Sequence, residues 1–332
     1  MKGNSQAEHF WKKNLFIETR ITYDTDNYTV VVAQRIILLP VSRDDWYSYA
    51  GDAGEVQERR NCGLVFPAEG GRRMSALNNE TAVKTQYASS TNLSTRISIH
   101  TKYSTNKQGF GNWIATHCPV SAGMSVLELG CGTGAAWLNQ REIIDACSRI
   151  TLTDFSEGML AKTKDTLKQY STIEYAVVDI QHIPYADQSF DMIIANMMLY
   201  HVPDIPRALS EVRRVLRKGG TFCCATYGEN GIMEYLVGLF QEYGVTEEAN
   251  HTFTLQNGKK QLQAYFDAVE RYDYEDSLEV TDVNDLADYI FSLTGMSSLR
   301  ALPRETIIKV LNAASVDGVL KVPKEYGLFL SH

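Results

Sequence analysis

The residues whose types and spacing could do chemistry gather around one glycine-rich stretch, Val126-Leu-Glu128-Leu-Gly130-Cys131-Gly132-Thr-Gly134. Glycines there let the chain turn sharply and bring backbone N–H groups beside a ligand. A helix that starts straight after the loop adds a partial positive charge at the same point. Such a loop suits an anionic or carboxylate-bearing nucleotide. Asp154 follows 20 residues after Gly134. A carboxylate at that place, ending a strand, can accept both hydroxyls of a ribose. The bland alternative is a helix cap for Glu157–Tyr170, a task that Ser156 could take instead. Asp179 precedes Ile180 and Gln181. It could accept from the exocyclic amine of an adenine, with Ile180 and Phe155 flanking the ring. Phe155 and Met159 read equally well as core residues.

Two cofactor classes compete for this loop. With Ala135 included it fits G-x-G-x-x-G/A, the dinucleotide fingerprint. Three features tilt the reading toward S-adenosylmethionine (SAM). Glu128 sits inside the strand, where a nicotinamide-binding strand has no evident need for an acid. A carboxylate there can fix the loop or receive the cationic amino group of SAM. Gly134 gives the tighter G-x-G-x-G, and the downstream segments fit better. Asp154 supports either class.

The elements that must position these residues follow from the pattern after Ser125, where short apolar runs alternate with amphipathic helices. Strands are expected at Ser125–Leu129, Arg149–Asp154, Ile173–Val178, Phe190–Asn196 and Gly220–Thr226, with helices at Ala135–Cys147, Glu157–Tyr170 and Ile205–Leu216. Asp204 reads as an N-cap, with Pro206 in the first turn. This alternation predicts a parallel sheet covered on both faces. Further on, Val269–Val280 and Tyr326–Ser331 read as strands around two helices, Asp282–Leu293 and Arg304–Ala314. Before the loop, residues 86–120 read as one or two short helices broken near Gly109 and Gly111. Residues 1–85 read as β-rich, with two strands within Ile21–Val41, and carry no recognisable motif. The expected organisation is an N-terminal segment 1–85 and a catalytic-type domain 86–332 with a helical insert at about 281–316.

Composition and charge narrow the function classes. The chain has 332 residues, 44% hydrophobic and 22% charged, ordinary for a globular protein. Its net charge is −8, and residues 229–332 hold 8 basic against 17 acidic side chains. An acidic surface repels phosphate backbones, so nucleic acid is disfavoured as a partner. The six cysteines form no C-x-x-C pair and no His cluster joins them, so zinc and redox-motif readings fail and no metal is expected. Free cysteines in a cytoplasmic, reducing setting are the simple expectation. The polar start, Met1 to Asn14, has no apolar core of a signal peptide. The apolar run Met192–Tyr200 is far short of the ~20 residues that a membrane helix needs.

Taken together, "VLELGCGTG", "LTDFSEGML", "VVDIQHIPYADQSFDMIIANMMLYHVPD" and "ALSEVRRVLRKGGTF" resemble the class I SAM-dependent methyltransferases. The likeness is greatest to the small-molecule branch that includes ubiquinone/menaquinone-type enzymes, and it covers roughly Ser125–Thr226. It implies a doubly wound, Rossmann-like α/β fold with a seven-stranded sheet and an antiparallel last strand. It further implies SAM over the carboxyl ends of the first strands. Residues 1–85 fall outside the pattern and could bind substrate, make a homodimer or act as an accessory module.

The resemblance places the chemistry at the end of the fourth strand, Asn196-Met197-Met-Leu-Tyr200-His201-Val-Pro-Asp204. Methyl transfer needs a nucleophile about 3 Å from the methyl and the exclusion of water. A base is required only if the acceptor must lose a proton. His201 is the candidate base, or a residue that orders the loop; Tyr200 would position the acceptor. Asn196 and Met197 would neighbour SAM. Tyr103 and Lys102, on a helix expected to close over SAM, are candidates for its carboxylate. The insert would either cap the acceptor site, with Tyr289, Phe291 and Met296 as lining, or bury the sheet edge. The acceptor is expected to be a small molecule methylated on O, N or C. The competing readings are an RNA or protein methyltransferase, a SAM-binding protein without transfer activity, and a nicotinamide oxidoreductase.

Overall fold

Apolar runs bounded by turn residues become the strands of one seven-stranded sheet. The computed structural model describes residues 91–246, 250–293 and 296–332, with Glu18–Thr19 and Val32–Ala33. The strands are β1 (Ser125–Leu129), β2 (Arg149–Asp154), β3 (Ile173–Val177), β4 (Phe190–Ile194), β5 (Leu216–Tyr227), β6 (Val269–Val280) and β7 (Leu320–Ser331). Their order across the sheet is β3-β2-β1-β4-β5-β7-β6. The first five run parallel, and β7 is antiparallel to both of its neighbours. This is the doubly wound α/β fold that the resemblance implies, and its first five strands form the parallel sheet expected from the alternation. The strand order reverses between β1 and β4, which opens a crevice above their carboxyl ends, where open α/β sheets bind ligands.

The helices are α1 (Thr91–Tyr103), α2 (Phe110–His117), α3 (Arg141–Ala146), α4 (Glu157–Thr166), α5 (Ile205–Val215), α6 (Ile232–Leu239), α7 (Gly258–Leu262), α8 (Val283–Ser292), α9 (Ser297–Arg300) and α10 (Arg304–Ala314). The Asp204 carboxylate caps α5 by accepting from the Arg207 amide at 3.0 Å. Ala208, Leu209, Val212 and Val215 then form its buried stripe. Ser156 caps α4, so Asp154 is not needed there. The continuous helix expected over Ala135–Cys147 is broken. A single 3-10 turn, Ala135–Trp137, is followed by an extended Leu138, and Asn139 is left-handed at φ +63°. Asparagine tolerates that conformation better than most residues.

The last strand begins six residues earlier than expected, at Leu320 rather than Tyr326. Pro323 conceals it, since proline cannot donate to a ladder. It is accommodated because β7 has β6 as a strand neighbour on this half, whereas β5 pairs only with Tyr326–Ser331. The outer halves of β6 and β7 therefore project past the end of β5. A separate apolar core forms on this projection, joining Leu278, Val280, Leu320 and Val322 to Ile99, Leu236, Leu286, Ile290 and Leu311. Tyr289 and Met296 are buried in it and Phe291 packs at its margin. The insert helices thus bury their apolar residues in a second core, and these three side chains do not line the cavity beside the glycine loop. A buried ion pair, Lys324–Asp276, with Ser104 donating to Asp276 at 2.8 Å, pins the end of α1 to the projection.

The chain divides into two compact units, Met1–Gly71 and Arg72–His332. Within the first, Glu18–Thr19 pairs antiparallel with Val32–Ala33; the rest of the β-rich reading of 1–85 lies outside the described residues. Among the described residues no helix is long and apolar enough to cross a membrane. No group of three or more His, Cys, Asp or Glu among them could hold a metal ion.

The expectation of free cysteines needs correcting. Cys118, just after α2, is bonded to Cys223 on β5, with Cα atoms 6.3 Å apart. Both are buried in the core beneath α2. The cytoplasmic placement loses the support that unpaired cysteines gave it. Peptide mapping without reductant is expected to recover the Cys118–Cys223 link. Reduction should lower the unfolding free energy by about 2–5 kcal/mol; denaturation curves that coincide with and without reductant would contradict the bond.

Gly134 carries a second expectation. It is left-handed at φ +72°, and a Cβ there would stand 2.7 Å from Thr163 Cγ2 and 3.0 Å from Leu167 Cδ1. Gly134→Ala should therefore cost about 1–3 kcal/mol in denaturant-induced unfolding. A change within experimental error would show that the loop packs differently.

Candidate functional site

The loop after β1 is a chain of left-handed glycines, with φ +75° at Gly130, +58° at Gly132 and +72° at Gly134. Each of its ends is tied. The Cys131 amide donates to the Thr153 carbonyl at 2.8 Å. The Gly132 amide donates to Asp154 Oδ2 at 2.9 Å, and the Ser156 amide to Asp154 Oδ1 at 2.8 Å. From α4, the Thr163 hydroxyl donates to the Gly132 carbonyl at 2.7 Å. Asp154 thus organises the loop by accepting from the Gly132 amide while backbone amides after β2 hold the carboxylate. Each carboxylate oxygen still has acceptor capacity for another partner. Burial pushes the Asp154 pKa up, against the pull of the Ser156, Gly132 and Phe155 amides.

A cavity of about 330 Å³ lies above this loop, within the range of small-ligand sites. Glu128, Gly130, Cys131, Gly132, Asp154, Phe155, Met159, Asp179, Ile180, Asn196, Met197 and His201 all line it. The structure therefore brings together most of the residues singled out from sequence. Val178 adds to the apolar wall, and Gly111 and Ile114 of α2 close one side. The result is a largely apolar cavity whose wall also carries the carboxylates of Asp154 and Asp179. Asp179 is held by Gln181, whose backbone amide donates to Oδ1 at 2.9 Å and whose side-chain amide donates at 3.1 Å.

Three of the singled-out residues are elsewhere. Gly134 faces α4, so its glycine character answers to packing. Tyr103 is turned away from the cavity: its hydroxyl donates to Asp285 at 2.5 Å, and Lys102 donates to the same carboxylate at 2.9 Å. That pairing docks α1 on α8, because the end of α1 is held to the β6–β7 projection. Tyr200 stands behind His201, with ring centres 4.5 Å apart, and equally close to Tyr227. Its carbonyl accepts from the Asn250 side chain at 2.5 Å and the Thr252 hydroxyl at 3.1 Å. Tyr200 therefore anchors the 3-10 turn Leu199–His201 that carries His201 to the cavity.

The crossing from β4 into that turn is strained. Met197 is left-handed at φ +54°, unusual for a long side chain. Its amide donates to the Ala225 carbonyl at 2.8 Å, and Asn196 Oδ1 accepts from the Ala225 amide at 3.2 Å. The two bonds hold Asn196 and Met197 against β5 and turn them toward the cavity.

Glu128 is the least exposed polar group of the site, 4% accessible. Trp137 Nε1–H donates to its Oε2 at 2.6 Å. Burial raises the Glu128 pKa to about 7, the indole N–H pulls it back, and the Asp154 charge pushes it up further. Sequence reasoning missed Trp137, which it absorbed into a long helix. The usable signal was a tryptophan in the first turn after the loop, since a buried indole N–H needs an acceptor.

Residues 127–224 match the family model described as a methyltransferase domain. "Methyltransferase GfsG" of Streptomyces halstedii is 30% identical over 171 residues, covering 50% of this chain and 58% of that protein. "Malonyl-[acyl-carrier protein] O-methyltransferase" of Pectobacterium atrosepticum is 32% identical over 132 residues, covering 40% and 49%. The chain thus spans only about half the length of these curated relatives. In fold it is similar to the crystal structure of the [4+2]-cyclase SpnF, with a TM-score of 0.50 at 17% identity, covering 76% of this chain and 96% of that one. Residues 127–224, which hold the glycine loop, Asp154 and Asp179, are thus similar to a methyltransferase domain.

Proposed function

We propose that the protein transfers a methyl group from SAM to O, N or C of a small-molecule acceptor. The observation that carries this reading is the largely apolar cavity above the glycine loop, whose lining includes the carboxylates of Glu128, Asp154 and Asp179. An adenosine has matching chemistry, an apolar ring with a polar amine at one edge and a diol at the other. Phe155, Ile180 and Met159 offer the faces, Asp179 the acceptor for the amine, and Asp154 the acceptor for the diol. Gly132 leaves open space where a Cβ would stand, which suits close approach of a ligand to backbone. Glu128 answers to the cationic amino group.

SAM supplies a methyl group on a sulfonium, already a good leaving group. The protein's part is placement and exclusion of water. Asn196 and Met197, held against Ala225, form the edge facing the acceptor. His201 can take a proton on a ring nitrogen when the acceptor must lose one. Tyr200 supports it from behind and positions the turn. The acidic C-terminal third favours a small acceptor over RNA. The names of two kinds of relative, a malonyl-carrier O-methyltransferase and a demethylmenaquinone methyltransferase, point to organic acceptors. A SAM-binding protein without transfer is the second reading, since a protein of similar fold is named a cyclase and fold does not fix function.

The test is calorimetric titration with S-adenosylhomocysteine and with NAD. The expected result is saturable binding of the first and none of the second. Asp154→Ala should weaken that binding by roughly 1–3 kcal/mol, because it leaves ribose hydroxyls without acceptors. Binding of NAD alone, or an unchanged dissociation constant in the variant, would overturn the reading.

A further inference from the structure

We propose that Trp137 is a positioning residue for the methyl donor: its indole N–H holds the Glu128 carboxylate, through which the cavity senses the charge on the ligand's amino group. The inference rests on the SAM reading above. It adds a residue outside the glycine motif and a pH dependence.

The geometry is specific. Glu128 is on β1 and lines the cavity, yet is almost wholly removed from water. A carboxylate in such a place needs donors, because burying an unpaired charge is costly. Trp137 supplies one at 2.6 Å, from a ring that is itself 5% exposed. The left-handed Gly134 initiates the turn that carries the ring, and the Trp137 amide donates to the Gly134 carbonyl at 3.1 Å. The third glycine of the loop therefore sets where the indole points. Around Glu128 the other titratable groups are Asp154 on β2, a like charge, and the Cys131 thiol. Cys131 is pushed far above its usual range by burial and by Glu128, so it stays a neutral thiol. Gly111 and Ile114 of α2 and Asn196 after β4 carry no charge; Asp179, after β3, and His201, in the turn after β4, are the remaining titratable groups of the cavity.

The indole N–H is thus a fixed donor in a setting where burial and Asp154 both favour the protonated acid. Burial raises the carboxyl pKa to about 7, so a ligand ammonium that binds the ionised form releases up to one proton below that pH and none well above it. Affinity for an amino-bearing ligand should rise with pH through about 7 and then level off. A ligand that keeps the adenosine and lacks the amino acid should show no such rise.

The experiment measures dissociation constants of S-adenosylhomocysteine and of 5′-methylthioadenosine between pH 5.5 and 8.5, for wild type, Trp137→Phe and Glu128→Gln. The ligand's own amine titrates alike in all three, so differences between profiles report the protein. Trp137→Phe keeps the ring and removes the donor. It should move the midpoint for S-adenosylhomocysteine up by about one to two pH units, which is a tenfold or greater loss near pH 6.5, and leave methylthioadenosine binding unchanged. Glu128→Gln should flatten the profile. A uniform loss at every pH and for both ligands would make Trp137 a packing residue only and overturn the proposal, as would an unshifted midpoint. If neither adenosine ligand binds wild type, the SAM reading itself fails. Should Trp137→Phe not fold, the indole N–H resonance of Trp137 in wild type decides. It should titrate with a single midpoint near 7 and lose that titration in Glu128→Gln; a resonance indifferent to pH would refute the coupling.

Discussion

The hydrogen bond from the Gly132 amide to the Asp154 carboxylate is the contact on which the site depends. Three left-handed glycines in five residues would be costly to order without it, because glycine gives up much backbone freedom on folding. The bond joins the loop after β1 to the end of β2, and the Thr163 hydroxyl adds α4 from the other side. Three elements of the fold thus meet on one residue, Gly132. The same carboxylate faces the cavity, so the group that shapes the loop is also available to a ligand. Loop order and ligand affinity are therefore coupled through one side chain.

The wall opposite is built by a different device. Asn196 and Met197 leave the end of β4 in a strained conformation, and bonds to Ala225 of β5 hold it. Tyr200 then anchors the turn through Asn250 and Thr252. Strain of this kind persists where surrounding contacts over-determine it. Here the contacts come from a neighbouring strand and from the segment after α6. The β6–β7 projection carries its own apolar core, and α1 is fastened there by Asp276 and Asp285. That fastening is why Tyr103 serves docking and not the cavity.

Much of this could be read from the amino-acid sequence, for identifiable reasons. Strand β1 is apolar apart from Ser125 and Glu128 and is followed by an unmistakable loop, so Gly130, Gly132 and Glu128 can be placed. Asp154 and Asp179 could be placed because they end strands of a regular alternation. What escaped was set by tertiary contact. Trp137 looked like part of one helix, because nothing local announces the left-handed Asn139. Residues 320–325 hid a strand behind Pro323, whose tolerance depends on which edge of β7 is paired. The Cys118–Cys223 bond spans 105 residues, and no spacing rule links such a pair. Aromatic and sulfur side chains suit both pockets and cores; here Asp285 claims Tyr103, and the second core claims Tyr289 and Met296.

The most direct measurement of the central claim is a crystal structure of the protein with S-adenosylhomocysteine. The account predicts the adenine between Phe155 and Ile180 with its amine on Asp179, the ribose on Asp154, and the amino group toward Glu128. The sulfur should face Asn196 and His201. A ligand bound elsewhere, or an adenosine turned so that Asp154 contacts no ribose hydroxyl, would contradict it.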